Sequence, residues 1–102
     1  MARSVRWTTP AWEDLTGAAD HIARDSKYYA AAFVEETRDA ARSLKQFADR
    51  GREVPELGDP SIRELFVQSY RLIYHVIPRE VRILAVSHQS RDSTAVIRRR
   101  PN

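Results

Sequence analysis

The chain has 102 residues, a formal net charge of +3 at pH 7 and no cysteine. This length suits one compact domain with one core, which we predict over residues 1–102. The lack of cysteine excludes disulfides and thiolate metal sites. No apolar run is long enough for a signal-peptide core or a membrane span, so the sequence predicts a cytoplasmic protein with no membrane contact.

The positive charge is concentrated towards the end of the chain. Residues 1–60 contain nine Lys or Arg and eleven Asp or Glu, a balance of −2, whereas residues 61–102 contain eight Arg and three acids, a balance of +5. Such asymmetry indicates an anionic partner, either nucleic acid or an acidic protein segment. The alternative is a solvated surface with a basic tail, and charge alone does not decide between the two.

The chain opens with a short predicted strand and an amphipathic helix. Residues 5–8 are β-prone, and Thr9 followed by Pro10 is typical of a helix start. Apolar residues then recur at three- and four-residue spacing, which predicts a helix over residues 10–24. These apolar positions are Trp12, Leu15, Ala19 and Ile22.

A second amphipathic helix is predicted after Ser26. It is expected to end near Gly51, because glycine is a common C-terminal stop. Its apolar stripe consists of Ala30, Phe33, Val34, Thr37, Ala40, Ala41, Leu44 and Phe47. Residues 51–60 are rich in Pro, Gly and acids, and therefore predict a loop.

Residues 61–92 predict three short strands joined by tight turns. β-branched and aromatic residues are concentrated in 62–67, 70–77 and 81–86. Pro78 fixes its own φ and lacks an amide donor, so a turn is expected there and the sheet is mostly antiparallel. The resulting fold class is α+β, a two-helix hairpin packed on a small sheet in the order β-α-α-β-β-β. Its core spans about residues 5–92, and residues 93–102 form a basic tail.

Strand periodicity places the polar residues of the sheet on defined faces. In the middle strand, Tyr70, Leu72, Tyr74 and Val76 face one way, and Arg71, Ile73, His75 and Ile77 face the other. In the last strand, Val81, Ile83, Ala85 and Ser87 oppose Arg82, Leu84, Val86 and His88. Arg71 and His75 therefore share a face, and His88 and Arg91 follow at the end of the last strand. We therefore expect the functional site in this region of the sheet.

Other site classes are not indicated by the sequence. No His/Cys/Asp cluster, Gly-rich phosphate loop or Ser-His-Asp arrangement is present, so we predict no metal and no cofactor. His21 lies within the first predicted helix and is expected to be structural. The run Arg98, Arg99, Arg100 is a dense positive patch that either contacts nucleic acid or forms a solubilising tail.

The order of several short motifs resembles the RelE/ParE superfamily of toxins over about residues 5–92. The motifs are Val5-x-Trp7-Thr8, Ala11-x-x-Asp14-Leu15, Val54-Pro55-Glu56-Leu57, Ile62-Arg63-Glu64-Leu65, Tyr70-Arg71-Leu72-Ile73-Tyr74, Val81-Arg82-Ile83-Leu84-Ala85-Val86 and His88-x-x-Arg91-Asp92. The resemblance implies the RelE/ParE-like toxin fold. It also implies a toxin that arrests growth when free and is neutralised by an antitoxin encoded beside it.

The superfamily has two branches with different targets. RelE-like members resemble ribosome-dependent endonucleases that cut messenger RNA, whereas ParE-like members act on DNA gyrase. In a nuclease, the resemblance implies that Arg71 and Arg91 would hold a phosphate and that His88 would transfer a proton. The alternatives for the two arginines are a salt bridge to Glu64 or Asp92, or contact with the antitoxin.

The sequence departs from the nuclease branch. RelE-like enzymes carry lysines on the strand before the central one and a tyrosine after the second arginine. Residues 62–67 contain no lysine, and no tyrosine follows Arg91. The sequence therefore favours ParE-like gyrase inhibition, with the ribosome and messenger RNA as the alternative target. Operator DNA would be bound only through the antitoxin. Residues expected to contact partner or nucleic acid are Arg63, Arg71, His75, Arg82, Arg98, Arg99 and Arg100.

Overall fold

The computed structural model describes residues 2–98, which form two long helices packed on a five-stranded sheet. In chain order the elements are β1 (Ser4–Trp7), α1 (Thr9–Ala23), α2 (Lys27–Ser43), β2 (Arg52–Glu53), β3 (Ile62–Val67), β4 (Tyr70–Ile77), β5 (Glu80–His88) and α3 (Ser93–Arg98). The predicted α+β class and the two-helix hairpin are confirmed.

The sheet is mixed, with strand order β1-β5-β4-β3-β2. β1 pairs with β5 in parallel, and the other neighbouring strands are antiparallel. β2 and α3 were not predicted. β2 pairs with the start of β3 inside the segment predicted to be a loop, and α3 occupies the first part of the predicted tail. Both elements are too short to show a hydrophobic period in the sequence.

The helices begin at hydroxyl caps. Thr8, one residue before the predicted cap, accepts a hydrogen bond from the Ala11 amide through Oγ1 at 3.3 Å and donates one to the Ile83 carbonyl at 2.8 Å. Thr8 therefore fixes the start of α1 against β5. Ser26 caps α2 in the same way, through the Tyr29 amide. The second helix ends at Ser43 rather than near Gly51, and turns fill the interval.

Apolar side chains form a core on each face of the sheet. The main core lies between the helices and the sheet and includes Leu15, Phe33, Leu44, Leu72, Tyr74, Val81, Ile83 and Val86. A smaller core on the opposite face contains Val54, Ile73 and Ala85, with Leu57, Ile62 and Ile97 packed against it. The alternation predicted for β4 is therefore correct, because Leu72 and Tyr74 lie in the main core and Ile73 in the smaller one.

A β-bulge in β5 changes which residues share a face. Tyr74 pairs with Ile83 and Ile73 pairs with Ala85, so Leu84 is an extra residue on β5. The strict alternation predicted for this strand is wrong beyond Ile83, since Ala85 lies in the smaller core and Val86 in the main core.

Tyr74 joins the main core to the segment that follows α2. Its ring is fully buried, and its hydroxyl accepts a hydrogen bond from the Gly51 amide at 3.0 Å and donates one to the Ala48 carbonyl at 2.9 Å. Burial raises the pKa of the Tyr74 hydroxyl above its usual range. The folded chain therefore keeps this proton at a pH where the unfolded chain has lost it.

Stability should consequently fall as the pH rises above about 10, where a tyrosine in the unfolded chain ionises. Tyr74→Phe removes this dependence and costs about 1–3 kcal/mol of unfolding free energy at pH 7, because two buried backbone groups lose their partner. Urea unfolding at pH 7, 9 and 10.5 measures both effects. Tyr28→Phe is the matched control, since Tyr28 is 77% exposed. An equal loss of stability between pH 9 and 10.5 in Tyr74→Phe and the parent would contradict the assignment.

Candidate functional site

Arg71 lies on the face of the sheet away from the long helices, at the centre of an ion-pair network. Its Nη1 donates to Glu64 Oε1 at 3.2 Å, to Glu56 Oε2 at 3.1 Å and to Ser93 Oγ at 2.5 Å. Its Nη2 donates to the Gln89 carbonyl at 3.1 Å. Both Nη groups are therefore engaged by the protein itself. Only 14% of the Arg71 side chain is exposed.

Glu64 is the buried acid of this network. Its side chain is 0% exposed, and its second oxygen accepts a hydrogen bond from Arg52 Nε at 2.8 Å. A buried carboxylate is tolerated only with such partners, because its desolvation is otherwise costly. The salt bridge to Glu64, one of the alternatives predicted for Arg71, is therefore present. We call Arg52, Glu56, Glu64, Arg71 and Ser93 the Arg71 network.

The Arg71 network also fixes α3. Ser93 is buried at the first residue of α3, and its hydroxyl bridges Arg71 and Glu56. Partial burial raises the pKa of the Glu56 carboxyl, but hydrogen bonds from Ser93 and Arg71 outweigh this, so the pKa lies below its usual range. Glu56 is therefore an anion at neutral pH, and two carboxylates face the Arg71 guanidinium.

His88 and Arg91 lie on the other face of the sheet, beside α1. The His88 ring stands edge-on to Tyr70, with centroids 5.3 Å apart and planes at 81°. Tyr70 in turn contacts Phe33 of the main core. A cleft of about 470 Å³ opens here between α1 and the end of β5. It is lined by Glu13, Asp14, Gly17, Ala18, His21, Tyr70, Val86, Ser87, His88 and Arg91, and we call it the histidine cleft.

The hydrogen bonds of His88 define which ring nitrogen can donate. The Ser90 amide donates to His88 Nδ1 at 3.2 Å, and Ser90 Oγ lies 2.8 Å from the same nitrogen. A nitrogen that accepts from an amide carries no proton, so the neutral ring is protonated at Nε2. The neutral His88 ring therefore has its hydrogen-bond donor at Nε2, and its Nδ1 lone pair is engaged by Ser90.

A family model that covers both the Arg71 network and the histidine cleft identifies the family of this chain. The model described as the ParE toxin of type II toxin-antitoxin systems, parDE, matches residues 5–93. The chain belongs to this toxin family. The predicted membership of the RelE/ParE superfamily is thereby confirmed, and the chain is a toxin of a type II toxin-antitoxin system.

Individual relatives come from both branches of the superfamily. Toxin RelE2 of Caulobacter vibrioides is 35% identical over 92 residues, covering 89% of this chain and 99% of the relative. The chromosomal ParDE system from P. aeruginosa superposes with a TM-score of 0.70 at 24% identity, covering 85% and 96% of the two chains. The RelBE2 toxin-antitoxin complex from Mycobacterium tuberculosis superposes with a TM-score of 0.56 at 26% identity, covering 86% and 99%. The two solved structures share the fold of this chain, and the names of the three relatives do not choose one target.

Arg71 and His88, two candidates of the nuclease hypothesis, lie on different faces of the sheet but at the same end of it, since Arg71 Nη2 donates to the Gln89 carbonyl. Arg71 is on the face of the smaller core, whereas His88 and Arg91 line the histidine cleft on the helix face. His75 shares the Arg71 face and pairs across the sheet with Ile62 and Arg82.

The remaining basic residues of the predicted interface have mixed positions. Arg63 Nη1 donates to the Gly51 carbonyl at 2.7 Å, and Arg82 Nε donates to Glu80 at 2.9 Å. These two guanidiniums therefore make contacts that support the toxin fold. Arg98 is the last residue of α3, and Arg99 and Arg100 lie outside the described residues.

Several residues at these sites were missed or interpreted differently from the sequence. Glu56 and Ser93 belong to the Arg71 network, although their segments were predicted to be a loop and a tail. His21, expected to be structural, is exposed and lines the histidine cleft. The spacing of Glu13, Gly17 and His21 at four-residue intervals is a signal that these positions share one side of a helix.

Residues 2–98 contain neither a metal-binding cluster nor a membrane-spanning helix. In that range no three His, Asp or Glu side chains lie close enough together to hold a metal ion. None of the helices in that range is long and apolar enough to cross a membrane.

Proposed function

We propose that this toxin arrests growth by inhibiting DNA gyrase when it is free of its antitoxin. The observation that carries the proposal is the engagement of Arg71 by the carboxylates of Glu56 and Glu64. The family match to ParE toxins over residues 5–93 supports the same branch.

The Arg71 network is poorly suited to stabilising a phosphate in RNA cleavage. A phosphate clamp needs guanidinium donors that point at the developing charge and are free to receive it. In this toxin, both Nη groups already donate to protein oxygens. Two carboxylates at the same guanidinium would also repel an incoming phosphate, because like charges interact strongly in a partly buried site.

Beside Arg71, proton transfer would have to use Glu56, whose carboxylate is already held by Arg71 and Ser93. General acid-base catalysis requires a side chain within hydrogen-bond reach of the reacting oxygen. His88 lies on the opposite face of the sheet and is protonated at Nε2 when neutral. The lysines and the tyrosine of RelE-like nucleases have no counterpart at the corresponding positions, since residues 62–67 contain no lysine and no tyrosine follows Arg91. The toxin is therefore better suited to inhibiting a target by binding than to cleaving RNA.

A cognate antitoxin is the second partner that we propose. The outer side of α2 and the edge strand β1 carry adjacent clefts of about 490 and 170 Å³, lined by Val5, Trp7, Ala31, Val34, Glu35, Arg38, Ala41, Arg42 and Lys45. Basic side chains beside apolar ones suit an acidic amphipathic segment. We call this surface the α2–β1 groove. Operator DNA would be bound only through the antitoxin, in the cytoplasm.

Supercoiling of relaxed plasmid by purified gyrase tests the proposed target. We expect the free toxin to inhibit supercoiling or to accumulate cleaved gyrase-DNA complexes. The antitoxin encoded beside it should restore activity when it is added first. The proposal would be overturned if the purified toxin left gyrase unaffected although the same toxin stops growth when it is induced in cells.

The alternative is a RelE-like, ribosome-dependent messenger-RNA endonuclease. It is favoured by the 35% identity to the protein named Toxin RelE2. In that case Arg71, Arg91 and His88 would be the catalytic candidates. Induction should then produce new codon-associated 5′ ends in cellular messages, and a folded variant lacking Arg71 should not produce them.

A further inference from the structure

Gly17 occupies the interior of α1, where glycine is less favourable than alanine. A Cβ built at this position would meet no atom within 4 Å apart from the helix itself. Gly17 is also not among the described residues with positive φ. Neither packing within the toxin nor backbone conformation therefore explains this glycine. The space that it leaves open is part of the histidine cleft.

Opposite charges face this space without pairing. Glu13 and Arg91 both line the histidine cleft and are exposed, and their side chains make no hydrogen bond or ion pair with any described residue. The imidazoles of His21 and His88 also line the cleft, and Asp14 adds a second carboxylate, which accepts a hydrogen bond from the Val86 amide. The cleft thus has two carboxylates and one imidazole on α1, and an imidazole and a guanidinium at and just after the end of β5.

This chemistry selects among possible occupants. A nucleic acid or a uniformly acidic segment would place its charge against Glu13 and Asp14, which disfavours both. Residues at the rim are exposed, so the cleft is too open to enclose a small metabolite. Two copies of the toxin cannot pair cleft to cleft, because both surfaces are concave. The remaining match is a convex polypeptide segment with a basic side chain for Glu13 and an acceptor for Arg91 and His88.

We propose that the histidine cleft docks such a mixed-charge segment of the protein that the toxin inhibits. The missing side chain at Gly17 lets the segment approach the backbone of α1. This inference rests on the proposed function only in taking the target to be a protein. The cleft and the α2–β1 groove share no lining residue, so the target and the antitoxin would use separate surfaces.

Filling the cleft at Gly17 tests the proposal without damaging the fold. Gly17→Gln adds a good helix former into open space, and Gly17→Ala adds only a methyl group. Both should raise the melting temperature, by about 2–6 °C. Gly17→Gln should also raise the number of cells that survive induction at least about tenfold, because a side chain placed in a binding cleft excludes its partner. Co-purification with the antitoxin should be unchanged.

The control is Thr16→Gln, which adds the same side chain at an exposed neighbour that does not line the cleft. It should arrest growth like the parent. A stable Gly17→Gln toxin that arrests growth at full strength would overturn the inference. So would loss of antitoxin binding with growth arrest intact, which would assign the cleft to the antitoxin. Neither cell survival nor co-purification with the antitoxin depends on gyrase. If gyrase is unaffected by the toxin but Gly17→Gln still protects cells, gyrase is not the target and the docking site stands.

Discussion

Replacing Arg71 by alanine is expected to lower the free energy of unfolding by about 3 kcal/mol, or the melting temperature by about 12–20 °C. The reason is the fully buried Glu64 carboxylate, which would lose one of its two cationic partners. The other, Arg52, is 55% exposed and held by one hydrogen bond, so it cannot replace the lost one. Urea unfolding followed by circular dichroism measures the change.

A double variant separates this structural effect from a catalytic one. Removing both charges with Arg71→Met and Glu64→Leu should recover most of the lost stability, since a buried ion pair can often be replaced by apolar side chains without loss. The parent, the two single variants and the double variant form a thermodynamic cycle. Additive destabilisation across that cycle would show that the two charges do not depend on each other, contrary to the geometry.

The same double variant carries a functional expectation. If the only role of Arg71 is to stabilise the fold, the folded Arg71→Met/Glu64→Leu toxin should arrest growth nearly as well as the parent. If Arg71 holds a phosphate during cleavage, the double variant should be folded but inactive. Loss of growth arrest in Arg71→Ala alone would be uninformative about chemistry, because that variant is expected to be unstable.

Gly51→Ala is expected to destabilise the toxin by about 3 kcal/mol. A Cβ at Gly51 would lie 2.5 Å from Tyr74 Oη and 2.6 Å from the Glu64 backbone oxygen, closer than packed atoms approach. Backbone and a fully buried ring cannot both move aside, and the Gly51 amide would lose its bond to Tyr74. Thermal unfolding of the variant should show a fall of about 12–20 °C.

Gly17→Ala is the matched control for this substitution. The same methyl group is added in both variants, but at Gly17 it meets open space. The two melting temperatures should therefore move in opposite directions. A small decrease for Gly51→Ala, similar to that of an exposed site, would mean that the turns after α2 yield easily and that Tyr74 does not anchor them.

The long elements of the fold could be predicted because their patterns extend over many residues. The apolar stripe of α1 repeats over several turns, and β4 alternates regularly between Tyr70 and Val76. β2 has two residues and α3 has six, so neither contains a full pattern. The bulge at Leu84 was also not predictable, because an apolar extra residue leaves no mark in a hydrophobic strand.

The candidate site was predicted only in part for related reasons. Arg71 and His88 were selected by residue type and family motif, and Glu64 was named as one partner of Arg71. The strand pattern did not place Arg71 and His88 on opposite faces of the sheet. The importance of Gly17 depends on the empty space beside it, which no sequence pattern shows.

Mapping 5′ ends of cellular messages after induction of the toxin without its antitoxin tests the central claim most directly. The parent and the folded Arg71→Met/Glu64→Leu variant should both stop growth while the ends of messages stay as they were before induction. The opposite result, codon-associated ends that appear with the parent and vanish with the folded double variant, would make this toxin a nuclease and Arg71 its catalytic residue.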